Sequence, residues 1–334
     1  MKPKISVLIP AYNEERYIGA CLDSVIANDY PKEKMEVFVI DGMSGDGTRG
    51  IVEIYADTYP FIKLIDNPER YVPFALNRGI EVSSGDYIVR LDAHSSFPDN
   101  YLSKLIEGHE KLEADNIGAV CRTGVKERTP VSLAVKTVMA DPFGVGNSYF
   151  RTGVKKITSV DTVPFGCYRR EVFEKYGTFD TRLIRNQDIE FNKRIIAGRG
   201  KIFLLPDLEC TYYTRETLKG LGESSYANGL WNVLTARYTG RLSSLSLRHF
   251  VPLAFLLSLI VPLPFAAISP YLLLIPALSL LLYAAAVVFR SIEIRTEGTT
   301  AGKIMTAFFV LHISYGTGSL IGIFKPLTRR RDAR

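Results

Sequence analysis

The chain has 334 residues, and its 41 Lys and Arg against 35 Asp and Glu give a net charge of +6. This modest charge argues against nucleic acid as a partner, and the length favours two domains over one. The four cysteines, Cys21, Cys121, Cys167 and Cys210, are too widely spaced for a zinc site or a disulfide scaffold, so we expect buried, reduced thiols. The apolar run Ile5–Ile9 is too short for a secretory leader, and we expect none.

Up to Arg122, short apolar runs alternate with amphipathic segments. The runs predict strands at Ile5–Pro10, Met35–Asp41, Phe61–Asp66, Tyr87–Leu91 and Ile117–Arg122. The segments between them predict helices at Arg16–Ala27, Thr48–Tyr59, Val72–Ser83 and Asn100–Leu112. Strands that alternate with helices at this spacing predict right-handed βαβ units. The expected fold is therefore α/β, with a mostly parallel sheet covered by helices on both faces.

This regularity ends after Arg122. Apolar spacing predicts helices at Pro130–Ala140, Glu171–Tyr176, Asp188–Ala197 and Arg215–Tyr238. Strands are expected at Ser159–Phe165 and Lys201–Leu205. Asp141–Thr158 is rich in Gly, Asn and Ser, and we expect a mobile loop there, lying over a binding site.

Three apolar segments, at about Phe250–Ser269, Tyr271–Phe289 and Ile304–Phe324, follow near the end of the sequence. Each approaches the roughly 20 residues that a helix needs to cross the hydrocarbon core of a bilayer. Their length and lack of charge disfavour the alternative, a buried helical bundle in a soluble protein. We therefore expect a membrane protein.

Three groups of basic residues flank these segments. Before the first segment lie Arg237, Arg241 and Arg248; between the second and third lie Arg290, Arg295 and Lys303; and after the third lie Lys325, Arg329–Arg331 and Arg334. Positive charge prefers the cytoplasmic side of a membrane. All three groups can be cytoplasmic only if the third segment does not cross. We favour a two-helix hairpin plus a re-entrant or interfacial third segment over three full spans.

These patterns divide the chain into four parts. We expect a catalytic domain at 1–214, a juxtamembrane helical region at 215–248 and membrane segments within 249–324. A basic tail at 325–334 is suited to anionic lipid headgroups.

Three carboxylates mark a ligand site. Asp41 and Asp92 each close a predicted strand, and Asp188 opens a predicted helix. The carboxyl ends of parallel strands line the crevice in which open α/β sheets bind ligands. Such a crevice beside membrane segments suggests one soluble substrate and one substrate held in the membrane.

The first two motifs suit a nucleotide. Pro10–Glu14 leaves the first strand and can place the ring of Tyr12 against a base, although any βα loop has similar composition. In Asp41–Thr48, Asp41 can accept a hydrogen bond from a base N–H, and the glycines permit close approach of a ligand. A plain glycine-rich turn whose Thr48 caps the next helix is the alternative.

The segment Gly85–His94 suits a metal ion. Asp92 and His94 are two residues apart, so in an extended chain their side chains lie on the same side. A carboxylate with an imidazole suits Mn²⁺, which would stabilise the charge of a departing diphosphate. A turn-capping Asp beside a surface His is the alternative. Asp188, likewise, can be simply the first-turn acid of its helix.

Taken in order, Pro10–Glu14, Asp41–Thr48, Ala75–Gly79, Gly85–His94 and Asn186–Asp188 resemble the motifs of family 2 glycosyltransferases with the GT-A fold. The resemblance covers about Ile5–Ala197. Asp161–Arg170 and Gly177–Asp180 are similar to the membrane-attached exopolysaccharide members of that family. The resemblance implies three kinds of site: nucleotide-sugar binding by Pro10, Ala11, Tyr12, Glu14, Asp41, Asn77 and Asp92, a divalent metal (Mn²⁺ or Mg²⁺) at Asp92 and His94, and a catalytic base at Asp188.

This chain departs from the family pattern at two places. His94 stands where an Asp is usual, and the QxxRW signature of processive synthases is absent, its nearest fragment being Asn228–Trp231. The resemblance then implies addition of a single hexose, with inversion, from a UDP-sugar to a polyprenyl-linked saccharide or polyprenyl phosphate. It places the catalytic domain on the cytoplasmic side of the cell membrane. An inactive membrane-anchored nucleotide-binding or scaffold protein, and a nucleotidyltransferase of the same fold, are the alternatives.

Overall fold

The computed structural model describes residues 2–240 and 246–327. Contacts divide the chain into two compact units. One contains the chain up to Arg122 together with Tyr149–Tyr213, and the other contains Thr123–Ser148 together with the chain from Thr214 onward. The predicted catalytic domain at 1–214 therefore includes a segment that packs in the second unit. Arg241 and the basic tail from Arg329 lie outside the described residues.

The first unit is built on a nine-stranded sheet of order β3-β2-β1-β4-β8-β6-β9-β5, with β7 paired to β9. The strands are β1 (Ile5–Ala11), β2 (Met35–Asp41), β3 (Ile62–Asp66), β4 (Tyr87–Arg90), β5 (Ser95–Ser96), β6 (Asn116–Gly124), β7 (Thr158–Ser159), β8 (Cys167–Arg169) and β9 (Ile202–Tyr213). The helices are α1 (Ile18–Ile26), α2 (Thr48–Thr58), α3 (Val72–Val82), α4 (Tyr101–Leu112), α7 (Tyr149–Thr152), α8 (Glu171–Tyr176) and α9 (Gln187–Ala197). Up to Arg122 every predicted strand and helix is present, with ends within about two residues of those expected.

The sheet is parallel in one half and antiparallel in the other. β1 pairs in parallel with β2 and β4, and β2 with β3. β8 then lies antiparallel to both β4 and β6. The predicted α/β GT-A fold is confirmed, with a mixed sheet in place of a mostly parallel one.

Three predictions after Arg122 are wrong in detail. Of the expected strand Ser159–Phe165, only Ser159 lies in a strand, β7, although the Val160 N–H also donates to the Ile202 carbonyl. The strand at β8 was missed. β9 continues to Tyr213 instead of ending at Leu205. The expected loop Asp141–Thr158 contains two short helices, α6 (Pro142–Val145) in the second unit and α7 in the first.

Side chains that alternate along each strand form two apolar cores, one on each face of the sheet. Val7 and Ile9 of β1 belong to the core under α1, α2 and α4, while Leu8 belongs to the core under α3, α8 and α9. This is the period-2 pattern of a strand buried on both faces. All four cysteines are free and buried, as predicted.

The second unit is helical in its described residues. Its helices are α5 (Pro130–Ala140), α6, α10 (Leu218–Thr239), α11 (Val251–Ile260), α12 (Pro262–Phe265), α13 (Leu274–Glu293) and α14 (Ala301–Phe324). One apolar core joins α5, α10, α13 and α14, with Phe308 fully buried at its centre. Leu247–Phe265, Pro270–Glu293 and Ala301–Phe324 are each long and apolar enough to cross a membrane.

Helices α10 and α14 of this unit lie unusually close. A Cβ added at Gly318 of α14 would overlap the carbonyl oxygen of Tyr226, and one added at Gly229 of α10 would overlap that of Tyr315. The amide of Asn232 also donates to the hydroxyl of Tyr315 across the interface. Glycines let two helix backbones approach each other in this way.

Candidate active site

Two loops at the carboxyl ends of β1 and β2 are joined by hydrogen bonds. The backbone N–H of Asn13 donates to Ser44 Oγ at 2.8 Å, and Gly45 donates to Asn13 Oδ1 at 2.9 Å. The Glu14 N–H donates to Thr48 Oγ1 at 2.8 Å. Asn13 is left-handed, with φ of 55°, a conformation that Asn tolerates better than most residues. Asn13 and Ser44 were missed as site residues, although Asn between two predicted elements is a usable signal.

Asp41 lies at the end of β2, between Ala11 and Asp66 on the neighbouring strands. Its carboxylate is fully buried and accepts three hydrogen bonds: from Ser44 N at 2.9 Å, from Ser44 Oγ at 2.5 Å and from Arg49 Nη1 at 2.9 Å. Arg49 also pairs with Asp66 at 2.8 Å. Asp41 therefore fixes the shape of the loop, and a base N–H would have to share an oxygen that is already bonded.

Tyr12 has the exposed ring that the sequence predicts beside Asp41. It is 44% exposed, and the guanidinium of Arg70 lies 5.9 Å from the ring centroid. A Cβ at Gly42 would lie 3.2 Å from both the Tyr12 ring and the Arg70 carbonyl. Glycine at position 42 thus lets the Tyr12 ring lie beside the end of β2. There the Gly42 N–H donates to the carbonyl of Ala11, which follows Pro10 on β1.

His94 and Glu14 form an ion pair, with Nδ1 of the ring 2.8 Å from Glu14 Oε1. A carboxylate only accepts, so Nδ1 carries the hydrogen. Burial acts to lower the pKa of His94, but Tyr212 and Glu14 outweigh it and raise that pKa to about 10. Without a bound metal the imidazole is therefore positively charged at neutral pH, and a cation would have to displace the proton on Nε2 before that nitrogen could bind it.

Asp92 and His94 offer a carboxylate and an imidazole, the two types of donor predicted for a divalent cation. Metal-binding histidines commonly donate one ring N–H to a carboxylate and use the other nitrogen as the ligand, and Glu14 has that relation to His94. Asp92, two residues before His94, is partly exposed and supplies a carboxylate. Within the described residues no group of three or more His, Cys, Asp or Glu side chains is arranged to hold a metal. A cation here would need further ligands from a bound diphosphate.

Asp188 lies in the first turn of α9, which follows the left-handed Asn186. One carboxylate oxygen accepts from the N–H of Ile189 at 2.9 Å, and the other accepts from Arg90 Nη1 at 3.1 Å. The side chain is 20% exposed. The carboxylate is thus both held and accessible, as a proton acceptor requires.

Arg90 brings the separate motifs together. Its Nη2 donates to Asp92 Oδ1 at 2.8 Å while its Nη1 donates to Asp188. The predicted metal-binding and base residues, 96 positions apart in sequence, therefore share one guanidinium. The sequence offered a signal in the single charged residue inside the apolar run of β4, which we did not assign.

Asn77 lies in α3, and both ends of its amide bond to Phe179. Nδ2 donates to the Phe179 carbonyl at 2.9 Å, and the Phe179 N–H donates to Oδ1 at 3.0 Å. These bonds favour a structural role, holding Gly177–Asp180 against α3, over direct contact with a nucleotide.

The family model described as glycosyl transferase family 2 matches residues 6–177. The chain belongs to this family. The match includes Asp41 and Asp92 but ends before Asp188. The resemblance drawn from the motifs is confirmed, and the individual roles of the site residues stay predictions.

The names of two relatives refer to a dolichyl-linked sugar and to an exopolysaccharide. A dolichyl N-acetyl-alpha-D-glucosaminyl phosphate 3-beta-D-2,3-diacetamido-2,3-dideoxy-beta-D-glucuronosyltransferase of Methanococcus voltae is 30% identical, over 77% of this chain and 81% of the relative. The succinoglycan biosynthesis protein ExoA of Rhizobium meliloti is 29% identical, over 64% of each chain. The structure of a mannosyltransferase of Pyrobaculum calidifontis, in complex with GDP-Man and Mn²⁺, aligns with a TM-score of 0.63 at 21% identity, over 96% of this chain and 88% of that one. That likeness shows a shared fold.

Proposed function

We propose that this glycosyltransferase adds one hexose, with inversion, from a UDP-sugar to a saccharide carried on a polyprenyl lipid. The observation that carries the proposal is the placement of Asp188 and Asp92 around Arg90, at the carboxyl end of β4. One carboxylate is then available to accept a proton beside another that would hold the cation of the donor diphosphate. The names of the relatives, which concern a dolichyl-linked sugar and an exopolysaccharide, support a lipid-linked acceptor.

The reaction follows from these positions. Asp188 takes the proton of the acceptor hydroxyl as its oxygen attacks the anomeric carbon of the donor. A single displacement without a covalent intermediate inverts that carbon. Asp92 and His94 would hold Mn²⁺ or Mg²⁺, which supplies charge stabilisation for the departing UDP. The loops of Asn13 and Ser44, with Tyr12 exposed, form the surface on which the base is expected to lie.

A two-helix hairpin best fits the second unit. Only 6% of the apolar window in Pro270–Glu293 is buried by protein, against 44% in Ala301–Phe324. α14 packs against α10, whose exposed Lys219 and Glu223 are out of place in hydrocarbon. A surface position for α14 would put all the flanking basic residues, and the catalytic unit, on the cytoplasmic side of the cell membrane.

The proposed base is tested by Asp188→Asn, with Glu190→Gln as the matched control. Glu190 is the next acid on α9 and is paired with Arg194 at 2.7 Å. Purified full-length protein would be assayed with UDP- and GDP-hexoses and a synthetic polyprenyl-diphosphate-linked sugar. We expect Asp188→Asn to bind UDP but to lose about 10²–10⁴-fold in rate, and Glu190→Gln to stay within a few-fold of wild type. Activity of Asp188→Asn within a few-fold of wild type would contradict the assignment. UDP binding by wild type without transfer would favour the inactive scaffold.

The proposed cation is tested in the same assay. Because an imidazole ligand suits Mn²⁺ better than Mg²⁺, we expect Mn²⁺ to serve at least as well as Mg²⁺ and excess EDTA to stop turnover. Full turnover in EDTA would remove the metal from the proposal.

A further inference from the structure

Arg90 is a buried cation with contacts to three parts of the first unit. It is the last residue of β4 and is 7% exposed. Its guanidinium donates to Asp92 at 2.8 Å, to Asp188 at 3.1 Å and to the backbone carbonyl of Pro164 at 2.6 Å. Its Nε is buried and has no hydrogen-bond partner among the described residues.

Burying this guanidinium destabilises the fold, which suggests that Arg90 has a functional role. The guanidinium of Arg90 stays charged at neutral pH, as Arg does in proteins, and it faces the carboxylates of Asp92 and Asp188. A buried N–H without a partner destabilises the folded protein. A flat, rigid fork can join two carboxylates and a carbonyl at once, which the single ammonium of Lys does not do in a fixed geometry.

We propose that Arg90 is a positioning residue that holds the carboxylate of Asp188 at a set place relative to Asp92. The inference rests on the proposed function. Among the described residues, Asp188 is otherwise held only by the N–H of the following residue, on a helix that begins after a left-handed Asn. By fixing Asp188 against the end of β4, two residues before Asp92, Arg90 places the proton acceptor in register with the carboxylate proposed to hold the donor's cation. Misplacement of a reacting group by about 1 Å can cost about 10²-fold in rate.

The test is Arg90→Lys, which keeps the charge and removes the fork. Arg170→Lys is the matched control, because Arg170 also bridges two elements, with Nε to the Gly85 carbonyl at 2.6 Å and Nη2 to Ser83 Oγ at 2.9 Å. Arg170 lies near the start of β4, whereas Arg90 ends that strand. With the best donor and acceptor from the panel, we expect Arg90→Lys to lower kcat by about 10- to 100-fold and to change the donor KM by less than about threefold. Arg170→Lys should leave both constants within about twofold.

A double-mutant cycle shows whether Arg90 acts through Asp188. If it does, adding Arg90→Lys to Asp188→Asn should cost less than about twofold further, because the group to be positioned is already lost. Equal effects of Arg90→Lys and Arg170→Lys, or full additivity with Asp188→Asn, would overturn the inference. In either case the wild type would still transfer sugar, so the proposed function would stand.

A second cycle needs no activity. The melting temperatures of wild type, Arg90→Lys, Asp188→Asn and the double variant would be measured in detergent, with UDP binding as the check of folding. Coupling between the two positions, absent between Arg170 and Asp188, supports the bridge, and additive shifts overturn it. Should the wild type turn over no donor in the panel, the proposed function alone fails and this cycle still decides whether Arg90 holds Asp188.

Discussion

Asp41 and Asp66 are neighbouring carboxylates that share the guanidinium of Arg49, yet they differ in exposure. Asp41 is fully buried and also bonds to Ser44, whereas the side chain of Asp66 is 57% exposed. A buried partner of a charge is costly to remove, while an exposed one contributes little. The two positions therefore separate the function of the loop from the general effect of losing one charge beside Arg49.

We expect Asp41→Asn to weaken UDP-sugar binding by about tenfold, which corresponds to about 1.4 kcal/mol, with kcat nearly unchanged. The reason is that Asp41 shapes the loop that follows β2 and is predicted to bind the nucleobase, far from the bond that breaks. Asp66→Asn is the control and should change KM by less than about twofold. Steady-state kinetics on both variants checks this. A collapse of kcat with an unchanged KM in Asp41→Asn would contradict the assignment.

At the scale of single elements, the α10–α14 interface depends on the absence of side chains. The Cβ of an Ala at Gly318 has no room beside Tyr226, so the two helices would have to separate. We expect Gly318→Ala to destabilise the second unit by about 1–3 kcal/mol. Gly302 lies on the same helix with open space around its Cβ position, and Gly302→Ala should leave stability unchanged or slightly raised. Thermal unfolding of both variants in one detergent measures the difference, and similar melting temperatures would refute the packing explanation.

We expect the buried His109 of α4 to make the first unit sensitive to acid. Its ring nitrogens lie 3.1 Å from the Ala114 carbonyl and 2.7 Å from the Cys167 carbonyl. Burial lowers the pKa of His109 to about 4, although both carbonyls favour the charged ring. Between the ordinary pKa of 6.5 and about 4, the unfolded chain binds a proton that the folded chain does not, so stability falls as pH falls through this window.

The shift of His109 corresponds to a loss of at most about 3 kcal/mol. Unfolding of wild type and His109→Gln would be compared at pH 7 and pH 4.5, and the variant should show the smaller loss. Glu36 does not confuse the result. Burial opposes its ionisation, but hydrogen bonds from Lys4 and Ser6 outweigh it and lower the pKa of Glu36 to about 2. Its contribution to stability is therefore lost as pH falls from about 4.5 towards 2, and this loss is the same in wild type and His109→Gln. Parallel curves for wild type and variant would show that His109 is not the cause.

At the scale of the whole molecule, removal of the chain after Tyr238 would affect the two units differently. The donor-site residues lie in the first unit, which has two apolar cores of its own, so UDP binding should persist. The truncation would, however, remove the partners of α5 and α10, exposing Val135, Val138 and Leu221. We expect the truncated protein to bind UDP in detergent, to aggregate without it and to work poorly on a lipid-linked acceptor. Light scattering, UDP titration and the acceptor assay check this, and a soluble monomer without detergent would contradict it.

The sequence by itself determined the features that depend on neighbouring residues. Continuous apolar runs predicted the strands up to Arg122, and apolar spacing near 3.6 predicted the helices, because burial of both faces of a strand and of one face of a helix imposes these patterns locally. The motifs around Asp41, Asp92 and Asp188 predicted the family, since each lies within one loop or turn. The length and composition of the apolar segments near the end of the sequence predicted three helices able to cross a membrane.

Only the tertiary structure decided what depends on distant segments. The antiparallel insertion of β8, the membership of Thr123–Ser148 in the second unit and the glycine contacts of α14 follow from pairings between segments far apart in sequence. The same holds at the site, where Arg90 meets Asp188 and Asn77 meets Phe179. A local pattern records which face of an element is buried but not what covers it, so these partners could not be predicted from their own surroundings in the sequence.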